Sequence, residues 1–257
     1  MAGEAAPRRR PPFRRLSQDR RREEIIEAAI EAFGRRPEPE VSIDDVAREA
    51  GASRSSVYRY FEGKQELYEA AADRVGAELT DRLNQVAGGA PSEQMMRRLE
   101  LYVDFLERYE VGYAGLLGVG SRQAPEATLS TAQRVRDEIC ALTYRTLRVD
   151  APSGMLRSTV QAWIAGVEWT GTEWLRTREP GRPVLEATMA AQFTSMLVAA
   201  AVFDPLCADR VAWLMRVEPP EAPFGTLVRA LAGTFDAPMV GDLARFLAHR
   251  PGEGRPG

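Results

Sequence analysis

The 257-residue chain has a single histidine, His249, and two cysteines, Cys140 and Cys207, that lie far apart. That scarcity leaves almost no material for histidine-based catalysis, and it gives neither a disulfide framework nor the clustered ligands of a zinc site. There is no phosphate-binding glycine loop and no nucleophile paired with a histidine. No catalytic residue, metal or cofactor is therefore expected. Strand-type runs are scarce too, and no apolar run approaches the ~18 residues of a membrane span. The early arginines are not followed by the apolar stretch of a secretory signal. A cytoplasmic protein without a membrane partner is the expectation. Both cysteines sit in helical apolar contexts and read as small core residues, with redox sensing as the alternative.

What the chain does have is alanine, leucine, arginine and glutamate, the composition of an all-α protein with enough apolar residues for a real core;. The net charge of −3 is modest, but its distribution is uneven. Residues 1–22 carry eight arginines against Glu4 and Asp19, which suggests local attraction to phosphate.

The most informative stretch runs from Ser42 to Lys64. Ser42 followed by Asp45 makes a capping-box-like helix start, and Ile43, Val46, Ala47 and Ala50 give a short helix one apolar face. Gly51 falls where a helix ends in a left-handed residue, because glycine has no Cβ to clash there. Ser53 begins a second helix as N-cap, and Val57 and Phe61, four apart, can face the first. Arg54, Ser55, Ser56, Tyr58, Arg59 and Tyr60 are left for other surfaces, with no acid between Ser53 and Phe61. Two helices joined by a short glycine-containing turn are a helix-turn-helix, whose second helix reads base edges in the major groove. The bland alternative is an αα corner that binds nothing.

These residues resemble the DNA-binding domain of the TetR family of bacterial transcriptional regulators. The resemblance rests on Ser42, Ala50-Gly51-Ala52-Ser53, Tyr58-Arg59-Tyr60-Phe61 and Lys64, and the close match covers about Arg20 to Glu78. It implies DNA contacts from Ser42, Ser53, Arg54, Ser55, Ser56, Tyr58, Arg59, Tyr60 and Lys64. Two positions depart from it: Ser55, where the family often has glycine, and Asp44, where some relatives carry a basic residue. The aspartate reads as a complement to the helix dipole.

Four regions follow. Residues 1–16 read as a disordered basic arm, either a solubilising leader or an arm that tracks DNA. Residues 17–64 form the helix-turn-helix domain, opened by a helix from Ser17 to about Arg35. Residues 65–203 form a helical body, with helices over about Lys64–Val86, Ser92–Leu117, Thr128–Leu147, Met155–Arg178 and Val184–Phe203. Residues 204–257 form an extension with short helices near Ala208–Arg216, Gly225–Phe235 and Val240–His249, ending in a disordered tail. The extension either caps the bundle or covers a pocket.

The resemblance further implies a small-molecule effector held in the body. Tyr102, Phe105, Tyr109, Tyr113 and Trp163 are its candidate contacts, although aromatic residues at helical spacing are more often plain core. It also implies a homodimer paired through the two helices over Met155–Arg178 and Val184–Phe203, and an inverted-repeat operator in double-stranded DNA. The expected function is a repressor released by its effector. The alternatives are an activator or ligand-requiring regulator of the same fold, an enzyme that merely contains a helical corner, and a protein–protein adaptor.

Overall fold

Gln18–Arg35 form helix α1, with Ile25, Ile26, Ala29, Ile30 and Phe33 on its buried side. Arg–Glu pairs, the half-buried Arg21–Glu24 and the exposed Arg35–Glu31 among them, line the other side. The computed structural model describes residues 18–109 and 126–227, and every regular element among them is helical. The basic arm, the Ser17 cap, Tyr113 and the short helix expected near residues 240–249 lie outside the described residues.

After a 3-10 turn at Glu38–Glu40, α2 (Ile43–Glu49) begins at Ser42. The capping box is complete. The Asp45 amide donates to Ser42 Oγ at 3.2 Å, and the Ser42 amide donates to Asp45 Oδ2 at 3.0 Å. Gly51 adopts φ +56°, and the Ala52 amide reaches back to the Ala47 carbonyl at 2.8 Å, so the left-handed stop falls where expected;. Helix α3 (Arg54–Tyr58) is capped by Ser53, whose Oγ accepts the Ser56 amide at 3.1 Å. Val46, Val57 and Phe61 meet α1 in a closed core, and Tyr68 packs edge-on against Phe33 with ring centroids 4.9 Å apart.

Helix α4 (Lys64–Gln85) packs against α1 through Leu67, Tyr68, Ala71, Ala72 and Val75, and carries Leu79 and Leu83 into the body. The body consists of α5 (Pro91–Arg108), α6 (Glu126–Thr146), α7 (Gly154–Thr177), α8 (Arg182–Ala201) and α9 (Pro205–Val217). Proline opens α5, α8 and α9 near their first positions, where its missing N–H costs nothing;. Helix α5 closes at Arg108 with Tyr109 as its cap, earlier than the expected end at Leu117. Residues 218–227 turn back to the start of α5, where Glu218 accepts the Ser92 amide and hydroxyl, both at 2.7 Å. Phe224 also binds there, its amide donating to Ser92 Oγ at 3.2 Å.

The membrane-span expectation needs one correction. Polar Thr188, Gln192, Thr194 and Ser195 interrupt any continuous apolar run, yet α8 is long and apolar enough by composition to cross a membrane. In the fold, Leu185, Met189, Phe193 and Leu197 pack it against α5, α7 and α9. That packing buries one face of the helix and leaves Val184 and Val198 on the other exposed.

The capping box makes α2 acid-sensitive. Bonds from the Ser42 hydroxyl and amide hold the Asp45 carboxyl down at about 2, below its ordinary 3.8. A depressed carboxylate adds stability that is present above the ordinary value and lost as pH falls through the folded one. Urea melts of the native protein and Asp45→Ala should therefore differ most at pH 5, and the gap should close toward pH 2.

Candidate nucleic-acid interface and internal cavity

Six of the nine residues expected to meet DNA lie on α3 and the turn after it. Val57 and Phe61 are buried, and this fixes which way the rest of the segment faces. Arg54 and Ser55 in the first turn, then Tyr58 and Arg59, are exposed, while Ser56 and Tyr60 are half-buried. Arg59 and Tyr60 stand beyond the helix, which ends at Tyr58, and the Arg59 guanidinium lies 5.4 Å from the Tyr60 ring centroid. Ser42 and Ser53 sit on the N-caps of α2 and α3. Lys64 opens α4.

Two carboxylates engage two cations of this face, Arg54 and Lys64. Arg54 Nη1 lies 3.0 Å from Asp44 Oδ2, and the guanidinium also reaches the Tyr58 hydroxyl at 3.4 Å. The Tyr58 bond first, and Asp44 next, hold Arg54 above its ordinary value. Asp44 thus ties α2 to α3 beyond any complement to the helix dipole. Lys64 Nζ lies 2.9 Å from Glu38 Oε1 on the 3-10 turn. Glu38 was not singled out from the sequence, because its partner is 26 positions away and no local spacing marks the pair.

The body encloses an apolar cavity of about 100 Å³ between α4, α5, α6, α7 and α8. Leu99, Tyr102, Ile139, Trp163, Val167 and Phe193 are among its walls. The Trp163 indole donates to the Met189 carbonyl at 2.9 Å, leaving its ring face as apolar lining. Leu214, Glu218 and Phe224 close one end, so the extension does cover a pocket. Of the aromatic candidates, Tyr102 and Trp163 line the cavity. Phe105 and Tyr109 stand outside it, because α5 runs on past the cavity toward α1. There the Tyr109 hydroxyl donates to Glu78 Oε2 at 3.2 Å and its ring lies against Gly34. The cavity-lining Arg98 was not foreseen. Among the described residues it binds only neutral oxygens: the carbonyls of Leu83 and Val86, Thr146 Oγ1 and Gln94 Oε1.

Comparison with known proteins decides what this arrangement belongs to. Residues 25–71, which run from the buried face of α1 to the first half of α4, match the profile described as bacterial regulatory proteins, tetR family. Residues 91–198 match that of the tetracyclin repressor-like C-terminal domain. A tetR-family transcriptional regulator from Streptomyces coelicolor is 32% identical, with a TM-score of 0.80 over 85% of this chain and 99% of that one. The chain belongs to the TetR family.

It is therefore a transcriptional regulator with a helix-turn-helix DNA-binding domain, and its relatives are regulators, not enzymes. Among curated TetR-type relatives, the HTH-type transcriptional activator FasR of Mycolicibacterium smegmatis is 32% identical over 101 residues, 38% of this chain and 46% of that protein. The regulator TtgW of Pseudomonas putida is 43% identical over 49 residues, 19% of this chain and 37% of that protein. The chain thus spans less than half the length of these curated relatives. The second TetR profile stops at residue 198, before α9 and the segment that closes the cavity.

Both thiols of this TetR member are buried. Burial pushes Cys140 up, with Asp137 adding to it, and pushes Cys207 up to about 11, with Asp204 adding. A thiol must ionise to react. Ellman's reagent at pH 8 should leave both unmodified in the native protein and label both in urea. Rapid labelling of the folded chain would restore the redox-sensor alternative.

Proposed function

We propose that the protein is a homodimeric repressor that binds an inverted-repeat operator and is released by a small molecule held in the body cavity. The observation that carries this reading is the outward face of α3. It presents Arg54, Ser55, Tyr58 and Arg59 without an acid on the helix, above a core that fixes its orientation. In this reading Arg54 leaves Asp44 to fork onto a guanine, and Ser55, Ser56, Tyr58, Arg59 and Tyr60 meet bases or phosphates. Lys64 leaves Glu38 for a phosphate, with the cap serines Ser42 and Ser53 beside the backbone. The basic arm adds phosphate neutralisation in sequence-independent form. A regulator of chromosomal operators works in the cytoplasm.

The dimer proposal rests on the outer face of α7 and α8. Met155, Trp169, Val184, Val198 and Val202 are exposed there, Trp169 at 70% and Val202 at 76%. Residues Ala162, Ala165, Ala187, Thr188 and Ser195 between them are uncharged and also exposed. An apolar face of this extent is what a second copy covers. Pairing would set two α3 helices about 34–36 Å apart, on successive major grooves. The same two helices line the cavity from inside through Trp163, Val167 and Phe193. An occupant that favours one packing of α7 and α8 changes head spacing, and so changes DNA affinity reciprocally. Tyr102 and Trp163 are its proposed contacts.

An activator of the same architecture is the second reading, favoured by the description of FasR. Reporter expression in a deletion strain separates the two: expression rises on loss of a repressor and falls on loss of an activator.

Selection of bound sequences from a randomised duplex pool should return an inverted repeat; unselected DNA would overturn the reading. On that operator Arg54→Ala should cost about 1–3 kcal/mol and relax preference at one base pair, while Lys64→Ala should weaken all duplexes alike and lower the salt slope by about one. Val198→Glu should weaken self-association by roughly a hundredfold, about 3 kcal/mol, because each copy would bury an unpaired charge. Sedimentation should then find a monomer, and one that no longer holds the full operator.

A further inference from the structure

A second concavity opens beside the apolar cavity, between the α4–α5 loop, the end of α6 and α9. Arg98, Arg145 and Arg148 line it, with Asn84, Gln94 and the ring of Trp213. No aspartate or glutamate is among its lining residues. The two spaces are adjacent, and Pro91, Arg98, Leu142 and Thr146 line both. The polar groups on the apolar side are already engaged. Glu168 is bound by Arg136 Nε at 2.8 and 3.1 Å, and Glu218 by Ser92.

The arginines are differently placed. Arg98 is half-buried, and its partners are carbonyls, a hydroxyl and an amide, with no carboxylate among the described residues. Burial, and after it Arg145 and Arg97, push its guanidinium below its ordinary value, so the site is short of negative charge. Arg148 lies over the Trp213 ring at 5.4 Å from the centroid and has no carboxylate partner among the described residues either. Arg145 has one, Glu138 at 3.1 Å, which is not part of the cleft lining. A half-buried cation without a counter-ion, as Arg98 is among the described residues, is costly, and an anion bound there relieves that cost;.

We propose that the occupant is an amphipathic anion, with an apolar body in the cavity and a phosphate or carboxylate head against Arg98, Arg145 and Arg148. This rests on the reading of the cavity as the effector site, and narrows the chemistry of the effector. At about 100 Å³ the cavity is smaller than the about 150 Å³ that accepts benzene, so it suits part of a narrow aliphatic chain better than a ring;.

Calorimetric titration of the full chain without DNA tests it, using octyl phosphate, octanoate, 1-octanol and inorganic phosphate as probes. One of the two octyl anions should bind at least about tenfold more tightly than 1-octanol and than inorganic phosphate, the difference expected of a charge-assisted bond. The tighter of the two names the head group. Arg148→Gln and Arg145→Gln should each weaken that anion about tenfold and leave 1-octanol unchanged; both side chains are exposed, so the fold tolerates their loss. Equal affinity for octanol and the anions would overturn the proposal, as would anion binding indifferent to both arginines. Inorganic phosphate binding as tightly as octyl phosphate would overturn it too. A protein that selects an inverted repeat but ignores charged probes refutes this inference alone. One that binds octyl phosphate but selects no duplex refutes the regulator reading alone.

Discussion

The architecture depends on one continuous contact: the buried stripe of α4. Leu67, Ala71 and Val75 are closed against α1, and Leu79 and Leu83 continue the same stripe into the body. Because a helix keeps its side-chain register over its whole length, the head cannot rotate on the body without opening one end of this stripe. Fully burying each such leucine or valine is worth about 1.5–3 kcal/mol, so the arrangement is defined by packing. The reading face of α3 inherits its orientation from that contact through Val57 and Phe61.

Charge at the head is arranged in two salt bridges that set side-chain position more than stability;. Arg54 and Lys64 each rest on a carboxylate, Asp44 and Glu38, at salt-bridge distance. The Arg54 pair is exposed, and exposed pairs contribute little to stability. They can therefore be exchanged for phosphate or base contacts at small cost. Their main effect is on where the side chains wait.

The helical order, the glycine stop at Gly51 and the two serine caps were legible because each is local: spacing, a cap residue and a missing Cβ act within a few positions. The core side of α3 was legible for the same reason, from Val57 and Phe61. The cavity was only half legible. Tyr102, Phe105 and Tyr109 share a stripe on α5, and periodicity cannot say where along a stripe a cavity ends and ordinary packing begins. Tyr102 met the cavity, while Tyr109 met Glu78 and Gly34. Arg98 was missed because its meaning lies in which oxygens surround it, and those come from the ends of α4 and α6. The extension was left open between two roles, and the bond from Ser92 to Glu218, across 126 positions, is invisible to any local pattern.

The course of α5 has a mechanical consequence. Its Tyr102 is cavity wall, and its cap residue Tyr109, two turns on and roughly 10 Å away along the axis, rests on Gly34 at the end of α1. The two tyrosines stand on one uninterrupted helix, so the positions of the two contacts are linked through its backbone;. The cavity wall and the rear of the head are thus joined by one helix, with Tyr102 at one contact and Tyr109 at the other.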